Sequence, residues 1–379
     1  MNPNPLKRLK ELGQSVWYDY IRRDIYTTDK LSKLIREDGL SGMTSNPTIF
    51  QKAIAETDLY DEDIRRFAEK GSSVSQIFDR LAVDDVCRAA DVFRPVYDEA
   101  RGNDGFVSIE VGPKLAHDTE GTISEARRLW KACDRPNVMV KIPGTAEGVP
   151  AIRRCLAEGI NINITLLFSV ARYREVMEAF LSAMEERVGG KKDVAKIRSV
   201  ASFFVSRVDT NADKKLDAVT KGTAASETVR NRARALRGKL AIANARLAYQ
   251  AYEEVFGGGR FKALKAAGVA TQRPLWASTS TKDPAYPELY YVEALIAPDT
   301  VDTMPPETFD AYRDHGDPKV RIHDDLPEAR DAFKGLAEVS VDEKQIFREL
   351  EDEGVKKFSD SYDSLLKALE QKEKAMRVA

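Results

Sequence analysis

Asn161-Ile162-Asn163-Ile164-Thr165-Leu166-Leu167-Phe168-Ser169 is a near-continuous apolar run with polar residues toward its C-terminal end. A run of this kind fits a strand buried on both faces, as parallel sheets require. Similar short, β-rich runs recur between longer stretches of helical periodicity, the pattern of parallel strands joined by helical crossovers. Eight are found, at 15–21, 40–45, 106–111, 138–142, 162–168, 200–205, 275–279 and 291–296. Eight strands alternating with helices predict a closed (β/α)8 TIM barrel, whose C-terminal rim carries the active site. Pro274 is expected to open the seventh strand, where a missing amide donor is tolerated. Arg273 then lies at the wrong end for catalysis and takes a structural role.

The remaining segments elaborate this barrel. The connection over 210–256 is polar at first, then helical through Leu236, Leu240, Ile242, Leu247 and Tyr252. It reads as an elaborated crossover helix. Gly257-Gly258-Gly259 stops that helix; a phosphate loop would need a following lysine and serine at the right spacing. Beyond Val341, Ile346, Leu350, Phe358, Tyr362, Leu365 and Leu369 fall at helical spacing, giving a C-terminal amphipathic helix over about 341–376 that closes the barrel or a homodimer. The expected organisation is one domain over 1–379, with the barrel at about 15–340.

Composition limits the function. Among 379 residues the net charge is −2, with no basic stripe interleaved with aromatics, so nucleic acid is excluded as a partner. Cys87, Cys133 and Cys155 form no CxxC pair and leave an odd count, which suits a reducing cytosol. His117, His315 and His323 include no pair at metal-ligand spacing, so chemistry without metal or cofactor is expected. The N-terminus lacks the apolar core of a signal peptide and no later run spans a bilayer. A cytoplasmic protein without a membrane partner is expected.

The reactive residue is sought in Val138-Met139-Val140-Lys141-Ile142-Pro143-Gly144-Thr145, which sets one lysine inside an apolar strand. Burial favours the neutral, nucleophilic amine that Schiff-base formation needs. Lys141-Ile142-Pro143-Gly144-Thr145 followed by the 161–169 run resembles the paired signature of transaldolases. Thr44-Ser45-Asn46-Pro47-Thr48, Ser108-Ile109-Glu110-Val111 and Ser202-Phe203-Phe204-Val205-Ser206-Arg207 match further blocks, in chain order within about 15–300.

The resemblance implies a class I aldolase barrel that moves a dihydroxyacetone unit between sugar phosphates. It implies Lys141 as the Schiff-base residue and Asp19, in Trp17-Tyr18-Asp19-Tyr20, as the base for the hydroxyl that becomes an aldehyde. Glu110 with Thr165 would position a water for the proton transfers. Asn46 and Asn163 can offer amide groups to the hydroxyls of the dihydroxyacetone unit. Arg207, with Ser278 and Lys282 after the seventh strand, would hold the phosphate, and Ser202 is a further contact. Ala277-Ser278-Thr279-Ser280-Thr281-Lys282 is longer than the family's commoner Ser-aromatic-basic arrangement.

The expected reaction converts sedoheptulose 7-phosphate and glyceraldehyde 3-phosphate to erythrose 4-phosphate and fructose 6-phosphate. A fructose 6-phosphate aldolase, releasing free dihydroxyacetone, is the alternative. Phe204 favours transfer, because it lacks the hydroxyl with which a tyrosine could help protonate the carbanion. A non-catalytic sugar-phosphate binder would have lost a catalytic group, whereas Lys141, Asp19 and Glu110 are all present.

Overall fold

The computed structural model describes residues 4–378. Eight parallel strands close into a barrel in sequence order. They are β1 (Gln14–Asp19), β2 (Gly42–Thr44), β3 (Phe106–Glu110), β4 (Val138–Pro143), β5 (Ile162–Leu167), β6 (Ser199–Phe204), β7 (Gln272–Ala277) and β8 (Thr300–Met304). β4, β5 and β6 are buried at every position, one face toward the barrel interior and the other under the helices. Fully burying a Val, Leu or Ile stabilises by roughly 1.5–3 kcal/mol. That gain explains why polar residues within these strands need a special reason.

Register provides the reason. Glu110 pairs with Lys141, and Lys141 with Asn163, so three polar residues stand side by side on adjacent strands. Side chains alternate between faces, which puts Lys141, Asn163 and Thr165 on the interior side with Ser202 and Phe204 of β6. The C-terminal ends of the strands thus gather polar groups at one mouth.

Three sequence expectations are corrected. The eighth strand is Thr300–Met304, which pairs with both β1 and β7. The apolar run at 291–296 instead begins in a short helix, Tyr290–Ala294. Asp302 hides the true strand from a hydropathy reading. Its carboxyl is buried outside the interior face, accepts a hydrogen bond from the Thr279 hydroxyl at 2.9 Å, and is pushed by burial up to about 7. Pro274 does not open β7 but lies third in it. Pairing with β8 starts only at Leu275, so Pro274 sits where one side of the strand is still an edge. The 210–256 segment is not one helix after a polar lead. It comprises the end of helix Ser206–Lys221, then Glu227–Leu236 and Leu240–Phe256.

Arg273 does lie at the opposite end from the polar mouth, donating to the Ser15 hydroxyl at 2.7 Å and the Thr300 carbonyl at 2.5 Å. Helix Glu343–Val378 crosses the polar mouth instead. It buries Phe358, Leu365 and Leu369 and packs on helix Pro47–Ala55, where the Thr48 hydroxyl donates to Ser361 at 2.9 Å. Among the described residues no helix is long and apolar enough to cross a membrane.

Candidate active site

A cavity of about 520 Å3 occupies the C-terminal mouth of the barrel. Every site residue expected from the sequence lines it except Glu110 and Asn163. Lys141 and Glu110 have side chains only 6% exposed, with Nζ 3.5 Å from Oε2. The ammonium also donates to the Ser45 carbonyl at 3.0 Å. Both Glu110 oxygens and Thr165 Oγ1 are buried without a hydrogen-bond partner among the described residues. Such orphaned polar atoms are costly. Here they cluster around one amine.

Asp19 ends β1 on the cavity wall and accepts a hydrogen bond from the Thr44 hydroxyl at 2.6 Å. Thr44 in turn lies 2.7 Å from the Thr303 hydroxyl. Burial raises the Asp19 carboxyl above its ordinary value, against the Lys141 charge and the Thr44 bond. Burial raises Glu110 too, opposed chiefly by Lys141.

Asn46 is the N-cap of helix Pro47–Ala55, its side-chain oxygen accepting from the Ile49 amide at 3.0 Å. That bond fixes the amide on the cavity wall, and among the described residues its nitrogen has no hydrogen-bond partner. Asn163 lies one layer lower, fully buried. It donates to Ser108 Oγ at 3.0 Å and accepts from Ser202 Oγ at 2.7 Å, so it reaches the cavity through Ser202.

Cations gather on the opposite side. The Arg207 guanidinium lies over the Phe204 ring, 4.9 Å from its centroid, and Phe204 packs on Phe168 at 5.3 Å. Lys282 reaches the mouth despite the longer segment after β7, its stem exposed and its ammonium partly desolvated. Among the described residues neither cation has a carboxylate within ion-pair distance, although Arg22 on the same wall pairs with Asp24 at 2.7 Å. Burial lowers Arg207 from its ordinary value; burial and then the Arg207 charge lower Lys282. Ser278 Oγ lies 3.0 Å from Ser206 Oγ beside them.

Two backbone positions mark the rim as strained. Leu166 and Ser278 have φ of 59° and 56°, a left-handed conformation that costs a non-glycine residue roughly 1–3 kcal/mol and persists where surrounding structure imposes it. Leu166 lies in an irregularity of the β5–β6 pairing directly after Thr165.

Thr44, Thr303 and Phe358 were not singled out from the sequence as site residues. Thr44 stood inside a quoted motif, whereas Thr303 lay in the unrecognised strand. Phe358 stands over the amine, with Lys141 Nζ 6.0 Å from its ring centroid. Gly354, one turn earlier, packs close over the end of β5, where a Cβ would sit 3.0 Å from Leu166 Cδ2.

The family model described as Transaldolase/Fructose-6-phosphate aldolase matches residues 16–369. The transaldolase of Thermobifida fusca is 50% identical over 96% of both chains, and that of Saccharopolyspora erythraea 49% identical over 96% of both. The transaldolase of Trichodesmium erythraeum is 44% identical over 99% of both. With a family match spanning nearly the whole barrel and near-full-length relatives at this identity, the chain belongs to the transaldolase/fructose-6-phosphate aldolase family.

Proposed function

We propose that this chain is a transaldolase that transfers a dihydroxyacetone unit from sedoheptulose 7-phosphate to glyceraldehyde 3-phosphate through a Schiff base on Lys141, in the cytoplasm. One observation carries the reading. Lys141, beside the buried Glu110 carboxylate, lies at the floor of a cavity whose mouth holds Arg207 and Lys282, neither with a carboxylate within ion-pair distance among the described residues. The floor suits imine chemistry and the mouth suits a phosphate.

Lys141 passes a proton to Glu110, attacks the ketone carbon of the donor as the free amine and forms a carbinolamine. Its hydroxyl leaves as water once protonated, and Glu110, raised by burial and 3.5 Å from Nζ, supplies and later recovers that proton with help from Thr165. Asp19 takes the proton from the C4 hydroxyl as the C3–C4 bond breaks. The bonding pair flows into the iminium, leaving an enamine on Lys141 and releasing erythrose 4-phosphate. An elevated carboxyl pKa makes ionised Asp19 a stronger base for this step. Glyceraldehyde 3-phosphate then enters, the enamine carbon attacks its aldehyde, Asp19 returns the proton to the new alkoxide, and hydrolysis frees fructose 6-phosphate and Lys141.

Asn46 and Ser202, the latter oriented by Asn163, hold the hydroxyls of the three-carbon unit. Arg207, Lys282 and Ser278 hold the phosphate. Phe204 offers no hydroxyl to protonate the enamine, which favours transfer over release of free dihydroxyacetone. The test is borohydride trapping with fructose 6-phosphate followed by peptide mapping. A single labelled lysine at 141 is expected, and a label on any other lysine overturns the assignment.

A further inference from the structure

Helix Ser206–Lys221 starts at the cavity rim with Arg207 and carries Asp209 and Asp213 in its following turns. These carboxyls are 1% and 7% exposed, and among the described residues no cation lies within ion-pair distance of either, the nearby Arg237 pairing with Asp217 and Asp283. Burying two carboxyls without a cation is expensive, and apolar contacts would join two elements at lower cost. Each carboxyl instead bridges the same two pieces of chain.

One piece is the long β6–β7 connection. The Gly238 amide donates to Asp213 Oδ1 at 3.0 Å and the Ala241 amide to Asp209 Oδ1 at 2.8 Å. The other piece is the connection after β7 that carries Lys282. The Tyr286 hydroxyl donates to Asp213 Oδ2 at 2.6 Å, and the Tyr291 hydroxyl to Asp209 Oδ2 at 3.0 Å. Gly238 has φ of +70°, and a Cβ there would lie 2.7 Å from the Tyr286 ring, so glycine is what lets that ring seat. The Tyr290 hydroxyl donates to the Gly238 carbonyl at 2.9 Å, and the Tyr286 and Tyr290 rings stack at 5.6 Å.

The geometry therefore joins the helix that begins with Arg207 to the segment that carries Lys282. Like charges on Arg207 and Lys282 repel, and Lys282 sits on a connection with little regular structure. We infer that Asp213 and Tyr286 are positioning residues for the substrate phosphate: their hydrogen bond locks the Lys282 segment to the Arg207 helix, so that both cations face one phosphate at a fixed spacing. The inference rests on the reading that Arg207 and Lys282 hold that phosphate. It also gives the long connection a task, since its Gly238 turn seats the tyrosine.

Tyr286→Phe removes only the hydroxyl and keeps the stacked ring. With fructose 6-phosphate as donor, KM is expected to rise about three- to tenfold with kcat nearly unchanged, as for lost uniform binding. KM for unphosphorylated fructose should not move. In a Lys282→Ala background, Tyr286→Phe should add no further loss, because its effect passes through Lys282. Asp213→Asn keeps an acceptor for the Gly238 amide and can turn its amide nitrogen to the Tyr286 oxygen, so it should lose less than Tyr286→Phe, with thermal melting verifying that each variant is folded. Equal losses for both donors, or additive effects with Lys282→Ala, would overturn the positioning role. If Lys282→Ala itself fails to discriminate the two donors, the phosphate reading falls and takes this one with it. That outcome differs from failure of the coupling alone, in which Lys282→Ala discriminates and Tyr286→Phe does not.

Discussion

Arg207→Ala removes a guanidinium that is half-buried, stacked on Phe204 at 4.9 Å and free of any carboxylate within ion-pair distance among the described residues. With no hydrogen-bond partner to give up among the described residues, the planar fork can spend its hydrogen bonds on phosphate oxygens. One hydrogen bond to a charged group contributes about 1.5–3 kcal/mol, which is roughly 10- to 150-fold in binding. Lys282 remains to supply part of the attraction, so the loss should stay within that range. The assay is kcat/KM for fructose 6-phosphate with erythrose 4-phosphate as acceptor, set beside unphosphorylated fructose as donor. The phosphorylated donor should suffer by one to two decades and fructose by little. Arg207→Lys should fall between, since it keeps the charge but loses the fork and the stack. Equal losses for both donors would show that Arg207 supports the barrel rim instead, and the phosphate would pass to Lys282 and Ser278.

Lys141→Ala should leave the barrel folded and abolish borohydride-dependent labelling; labelling that persists would sink the Schiff-base assignment. Phe204→Tyr should shift product toward free dihydroxyacetone when no acceptor is present, and if the unmodified protein already liberates it as fast without acceptor, the lyase reading wins. Asp302, pushed up to about 7 when folded against 3.8 ordinarily, keeps its proton in the fold over a range where the unfolded chain has lost it. Stability from this group is therefore present below about pH 4 and lost as pH rises toward 7, by an amount on the order of a few kcal/mol. Asp302→Asn, neutral throughout, should raise the melting temperature at pH 8 and change it little at pH 4; equal shifts at both pH values would refute the linkage.

The barrel was legible because β4, β5 and β6 are buried on both faces, which forces the apolar runs that periodicity detects. β8 escaped for the opposite reason. Asp302 breaks its hydropathy, while the apolar residues at 291–296 serve a helical turn and the helix layer. Helix Ser206–Lys221 leaves no apolar period at its start, because Asp209 and Asp213 occupy buried positions that a periodic reading reserves for apolar side chains. In the site, Lys141, Asp19 and Arg207 stood out as ionisable groups at or beside strand ends. Asn163 reads in the sequence as a substrate contact, whereas cross-strand register gives it Ser108 and Ser202 as partners. Phe358 carried no signal. In the sequence it is one more apolar position on a long helix, equivalent to Leu365 and Leu369, and only the crossing of that helix over the mouth distinguishes it.

The placement of Phe358 also sets an order of events during synthesis. All eight strands, and with them Asp19, Glu110, Lys141 and Arg207, precede Phe358 in the chain, so the ribosome delivers every reacting group before the residue that roofs the amine. A nascent barrel at that stage holds a nucleophile without its cover. Docking of helix Glu343–Val378 through Gly354 is then a finishing step, and it separates possession of the reacting groups from possession of a sheltered one.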